Sequence, residues 1–107
     1  MKSQELYDFI EKDLLVECFR IMQTKGEAYS GVEDKLGNFK RVGKFLNLTP
    51  EQVWAVYFHK HLDALSAFLR GEYKDSESIK GRIQDLINYL FLLSGILKEQ
   101  EKIWVKF

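Results

Sequence analysis

Cys18 is the only cysteine of the chain, which excludes an intramolecular disulfide and a zinc site built from cysteines, and fits a reducing compartment. It reads as core filler rather than as a nucleophile. A single proline and seven glycines disfavour a turn-rich sandwich and suit long helices. Neither sign of charge is in excess: sixteen basic residues balance sixteen acidic ones, without blocks of like charge, so the electrostatic footprint of a duplex nucleic-acid or anionic-membrane binder is missing. No apolar run is long enough to span a bilayer, because Asn88, Ser94 and Gly95 interrupt even Leu86 to Leu97. The N-terminus carries Glu5, Asp8, Glu11 and Asp13, the wrong charge for a signal peptide. A soluble, cytoplasmic protein is expected. Equally absent are a glycine-rich phosphate loop, a His-Glu-x-x-His pattern and a nucleophile elbow around a serine.

What is present is apolar and periodic. Residues 1–107 are 46% hydrophobic, with two tryptophans, five tyrosines and eight phenylalanines, enough for one domain that buries about two-thirds of its unfolded surface. Leu6, Ile10, Leu14, Cys18 and Ile21 recur at helical spacing and predict a first helix from Ser3, as a cap, to Thr24, stopping near Gly26. Glu17 falls within that stripe, where a local pair with Arg20 competes with a metal-facing role. Lys25 to Gly37 has little periodicity and reads as a long loop lying over the helices. A short helix from about Asp34 or Leu36 to Leu46 follows, with Phe39, Val42, Phe45 and Leu46 inward. Thr49-Pro50-Glu51-Gln52 is a helix start, a capping box with proline at the first helical position. The helix it opens should end near Gly71. Trp54, Tyr57, Phe58, His61, Leu65 and Phe68 share its inner face, while His59 and Asp63 pair on the surface. Lys60 lies beside small side chains, able to snorkel outward or to reach a pocket. The fold class is therefore all-α: a compact bundle of three long helices and one short one, the long ones roughly antiparallel.

The last helix, expected from a cap at Asp75 or Ser76 to Gln100, is the most informative. Ile79, Ile83, Leu86, Leu90, Leu93 and Leu97 form an apolar stripe, but the neighbouring row of Ser78, Arg82, Asp85, Tyr89, Leu92 and Ile96 begins polar and ends apolar. A solvated face would stay polar. Burying charge is costly unless it is paired or used, so Arg82 and Asp85 should look into a salt-bridge network or a polar pocket at the edge of the core, the alternative being an ordinary i,i+3 pair on a half-exposed face. Carboxylates and amides on helices suit a hard, oxygen-liganded cation such as magnesium, which would in turn hold a phosphate.

Four pieces in order, Lys25-Gly26-Glu27-Ala28-Tyr29-Ser30, Asp34-Lys35-Leu36-Gly37-Asn38-Phe39, Lys60-His61, and Glu77 to Tyr89, resemble the nucleotide-modification-associated domain of phages and bacteria. That family is similar to the all-α, MazG-like nucleoside triphosphate pyrophosphohydrolases, and the resemblance covers residues 25–98, leaving 101–107 as a tail. It implies a phage-encoded protein of the bacterial host cytoplasm that binds a nucleotide, as a magnesium-dependent pyrophosphohydrolase of (deoxy)nucleoside triphosphates or a processor of modified nucleotides. Carried over, Glu77 and Asp85 become the catalytic, metal-side carboxylates, with Glu17 as a third metal ligand. Lys60 becomes a phosphate contact; Asn38, Asn88 and Tyr89 form the polar wall, and Tyr29, His61 and Arg82 complete the substrate-binding set. One departure matters: the family's Glu-x-x-Asp pair on the last helix is Arg82-x-x-Asp85 here, and the acidic pair of the first helix is replaced by Asp13 and Glu17. Fewer metal carboxylates favour binding over hydrolysis. The competing reading is a non-catalytic helical module that binds a host protein or sequesters a nucleotide. Broad apolar helix faces and the aromatic tail, with Trp104 and Phe107 as contacts, predict a homodimer or higher oligomer.

Overall fold

Three helix starts and one buried row set the architecture. A computed structural model describes residues 1–25, 33–74 and 77–102, and among these every regular element is helical. The first helix, α1, covers residues 3–24: α-helical Ser3–Asp8 and Leu15–Thr24 enclose a π-helical stretch, Phe9–Leu14. Lys2, not Ser3, is its N-cap, since the Glu5 carboxylate reaches back to accept from the Lys2 backbone N–H at 3.3 Å. The helix gives way to extended backbone at Lys25. Helix α2 is Gly37–Leu46, α3 is Pro50–Leu69 and α4 is Ile79–Glu99. Gly26, Tyr29, Asp75, Ser76, Trp104 and Phe107 lie outside the described residues.

The capping box before α3 forms as read. Thr49 Oγ1 accepts from Gln52 N at 3.2 Å, and Gln52 Oε1 accepts from Thr49 N at 2.8 Å. Before α4 the cap is Ser78, whose Oγ accepts from Gly81 N at 3.0 Å, so the helix starts later than expected. Between α2 and α3 the chain turns through Asn47 in the left-handed region, φ 59°, and Leu48 N donates to Gly43 O at 2.8 Å. A Cβ on Gly43 would stand 2.6 Å from the Leu48 carbonyl oxygen, a backbone atom that cannot swing aside. Gly43→Ala should therefore cost about 1–3 kcal/mol by overpacking. A urea midpoint within error of wild type would refute that close approach.

The core lies among α2, α3 and α4. Phe39, Val53, Trp54 and Ile96 are its buried members, with Leu36, Val42, Tyr57, Phe58, Tyr89, Leu92 and Leu93 packed around them. Trp54 stacks on Phe58 at 4.6 Å and its indole N–H donates to the Tyr89 carbonyl, satisfying a polar group that burial would otherwise penalise. Helices α3 and α4 run antiparallel, because Glu51 meets Gln100 and Lys102, Trp54 meets Tyr89, and His61 meets Arg82. Lys40 binds both Asp34 and Glu99, tying the start of α2 to the end of α4.

Several inward assignments are corrected. On α2, Phe45 is 87% exposed and Leu46 is also exposed, because α2 is short and buries only the Phe39 side, with Gly43 pressed against the turn. Phe68 at the end of α3 and Leu6 on α1 are exposed as well. On α4 the uninterrupted apolar stripe is not the inner one, since Ile83 and Leu90 are 40% and 49% exposed. The buried row instead runs through Arg82, Asp85 and Ile96, accompanied by Gln84, Leu86 and Asn88. Helix α1 meets α4 through its second half. Cys18 is fully buried there, and its carbonyl accepts from Asn88 Nδ2 at 2.9 Å. No residue of α1 before Leu15 is buried.

Candidate functional site

The polar end of the buried row on α4 opens into a cleft. Its volume is about 510 Å³, within the range of small-molecule sites. The end of α1 supplies Ile21, Met22 and Lys25; the approach to α2 and its first turn supply Lys35, Asn38 and Phe39. Tyr57, Lys60 and His61 come from α3, and Asp85, Asn88, Tyr89 and Leu92 from α4, with Glu77 at the edge. The Tyr73 hydroxyl donates to the Glu77 carbonyl, which fixes the segment leading into α4.

Asp85 and Arg82 are both buried, so the half-exposed ion pair is not what the helix builds. Lys25 Nζ donates to Asp85 Oδ1 at 2.8 Å, reaching across from α1. Arg82 Nη1 lies 3.1 Å from His61 Nδ1, and Nη2 lies 3.4 Å from Glu77 Oε2. A guanidinium only donates, so His61 Nδ1 accepts and the neutral ring carries its proton on Nε2. Asp85 Oδ2, 3.6 Å from that same Nδ1, consequently receives no hydrogen bond from the ring. Asp85 Oδ2 and Asn88 Oδ1 are buried acceptors with no hydrogen-bond partner within the described structure, and buried acceptors of this kind call for a donor.

Burial holds the His61 pKa below its ordinary 6.5; Asp85 pulls upward, while Arg82, Lys60 and Lys25 push down. The unfolded chain thus binds this proton first. The stability contributed by the neutral ring is complete above pH 6.5 and is lost as pH falls from there through the folded-state value. Unfolding midpoints should drop over that interval, and His61→Gln should flatten the drop. An equally steep decline in the variant would assign the pH dependence to other groups. Burial also raises the Tyr89 phenol, with the Asp85 charge adding to the effect, so the hydroxyl stays protonated and can donate.

Of the expected site residues, Asn38, Lys60, His61, Glu77, Asp85, Asn88 and Tyr89 converge on this cleft. Arg82 stands behind it as an organiser of His61 and Glu77. Glu17 does not join them. It lines a separate, largely apolar hollow with Phe9, Leu14, Ile79 and Ile83, and its carboxylate pairs with Lys80 at 3.3 Å rather than locally with Arg20 alone. Gln84 and Lys80 hold its pKa low. The surface pair His59–Asp63 forms at 3.6 Å as read. Lys25, Lys35, Tyr57 and Phe39 carried no assigned role in the sequence. The first two stand inside the quoted pieces beginning at Lys25 and Asp34, and the aromatics looked like core alone.

Of the expected magnesium ligands, Glu77 and Asp85 share the cleft and Glu17 does not. Among the described residues no group of three or more His, Cys, Asp and Glu side chains could hold an ion. Asp85 faces the Lys25 ammonium, Glu77 faces Arg82, and Glu17 opens elsewhere. The lining is instead cationic: Lys25, Lys35 and Lys60 against Glu77 and Asp85 leave one positive charge in excess with His61 neutral, before Arg82 is counted. Such a cleft attracts anions. No helix of the described residues is long and apolar enough to cross a membrane. Comparison with protein families, curated proteins and solved structures finds no match to this chain.

Proposed function

We propose that the cleft binds a nucleotide through the protein's own side chains, without a resident metal ion. The observation that carries this reading is the meeting of lysines, aromatic rings and buried acceptors in one cavity of about 510 Å³. Lys60 and Lys35, at the cleft's lysine-lined side, neutralise phosphate oxygens. Tyr57 and Tyr89, with the Phe39 ring edge-on to both at 6.2 and 6.3 Å, offer a surface on which a base can pack. Asp85 and Asn88, at the polar wall of the cleft, accept from donors on the base or sugar. The four-piece resemblance to the nucleotide-modification-associated family supports the same ligand class. Its pyrophosphohydrolase chemistry uses a carboxylate-held magnesium, toward which the cleft offers Glu77 and Asp85 alone, and no hydrolytic step is derived. Binding or sequestration in the cytoplasm of a bacterial host is the function put forward.

The test is thermal unfolding in the presence of ribo- and deoxyribonucleoside mono-, di- and triphosphates, each with magnesium and with a chelator. A ligand at a hundredfold excess over its Kd stabilises the native state by about 2.7 kcal/mol, an upward shift on the order of 10 °C for a domain of this size. The shift should survive the chelator, and chromatography should return the nucleotide intact. Absence of any shift overturns the reading. A shift that vanishes with the chelator, or release of pyrophosphate, would instead restore the metal-dependent enzyme.

A further inference from the structure

The charges around the cleft pair off unevenly. Lys25 Nζ is engaged with Asp85 at 2.8 Å, and Arg82 Nη2 with Glu77 at 3.4 Å. Because Arg82 also donates to His61 Nδ1, the ring adds no charge. Two ammonium groups are left over. Lys35 Nζ donates to the Lys25 carbonyl at 3.1 Å, a neutral acceptor. Lys60 lines the same cavity, and neither it nor Lys35 pairs with a carboxylate among the described residues. Lys25, Lys35, Lys60 and Arg82 against Glu77 and Asp85 thus leave two positive charges in excess. Placement of those charges matters as much as their number. Lys60 stands one turn beyond Tyr57 on α3, a rise of about 5 Å, and Tyr57 belongs to the aromatic wall with Phe39 and Tyr89. A base packed on that wall has Lys60 one sugar away.

Building on the nucleotide reading of the cleft, we infer that it selects a nucleoside monophosphate, whose single phosphate is neutralised by Lys35 and Lys60. A phosphate monoester carries about −1.5 to −2 charges at pH 7, which these two ammonium groups balance. Each further phosphate brings more negative charge and finds no third cation unless it draws Lys25 away from Asp85. That exchange would strand a buried carboxylate. Di- and triphosphates therefore gain nothing from their added charge.

Isothermal titration of the full chain with one nucleoside and its mono-, di- and triphosphates, in chelator and again in magnesium, tests the phosphate count. The monophosphate should bind about 100-fold tighter than the nucleoside, with about tenfold from each lysine, and the longer phosphates should bind no tighter. Lys35→Met and Lys60→Met should each weaken the monophosphate about tenfold and leave the nucleoside unchanged. Lys44→Met, which removes the same charge from the exposed side of α2, should alter neither. A triphosphate that binds about tenfold tighter than the monophosphate in either condition, or lysine variants with undiminished monophosphate affinity, would overturn the selection of one phosphate while leaving the cleft a nucleotide site. If no member of the series binds, the nucleotide reading falls and the monophosphate with it.

Discussion

Asp85→Asn should weaken nucleotide binding by 10- to 100-fold while lowering stability by only about 1 kcal/mol. Both magnitudes follow from where the carboxylate sits. The carboxylate lines the cleft, and a hydrogen bond to a charged group is worth about 1.5–3 kcal/mol. The substitution preserves size and removes the charge. On the stability side, the partner of Oδ1 is Lys25, whose side chain is 59% exposed, so solvent screens the pair and its loss costs about 1 kcal/mol or less. Arg82 keeps Glu77 at 3.4 Å as a counter-charge. Isothermal titration with the nucleotide that gives the largest thermal shift, alongside urea unfolding of the free protein, separates the two effects. A large loss of stability with affinity unchanged would make Asp85 half of a structural ion pair and leave the cleft without a ligand role for it.

Arg82→Ala should be the more damaging change to the fold, at about 3–5 kcal/mol. Its guanidinium is buried, bridges His61 of α3 to Glu77 ahead of α4, and lies one helical turn from Asp85. Removing one member of a buried charged network strands the others in a poor dielectric, and truncation also leaves a cavity between α3 and α4. Arg82→Lys should recover part of the loss, since an ammonium keeps the charge but cannot fork to two partners. The urea midpoint should fall with little change in slope, as expected when compactness is unaltered. A loss under about 1 kcal/mol would mean that His61 and Glu77 are positioned by their own backbones. The two variants together divide the network: Arg82 builds the floor of the cleft, and Asp85 uses it.

Much of this organisation was legible in the residues. Helical periodicity and local caps are short-range properties, so Thr49-Pro50-Glu51-Gln52 announced α3 and the stripe through Cys18 announced α1. The polar-to-apolar row on α4 left two readings, burial of Arg82 and Asp85 or a half-exposed i,i+3 pair, and both side chains are buried. The boundary before α4 was misread by a few residues, since Asp75, Ser76 and Ser78 are all competent caps and the choice depends on which side-chain oxygen meets a free N–H.

What could not be read were distances between helices. Two adjacent faces of α4 looked suited to the core, and periodicity does not say which one α3 will cover; packing against Trp54 and His61 chose the mixed row and left Ile83 and Leu90 outside. Lys25 and Asp85 are sixty residues apart, and no local signal pairs them. The carboxylates Glu17, Glu77 and Asp85 looked like one ligand set because residue type was visible while the space between α1 and α4 was not, and in three dimensions Glu17 turns to Lys80 on another surface. The class of fold and the helix that carries the chemistry follow from the order of the side chains. Which of those side chains would share one cleft depended on the crossing of α1 over α4, a long-range contact whose geometry is set by packing.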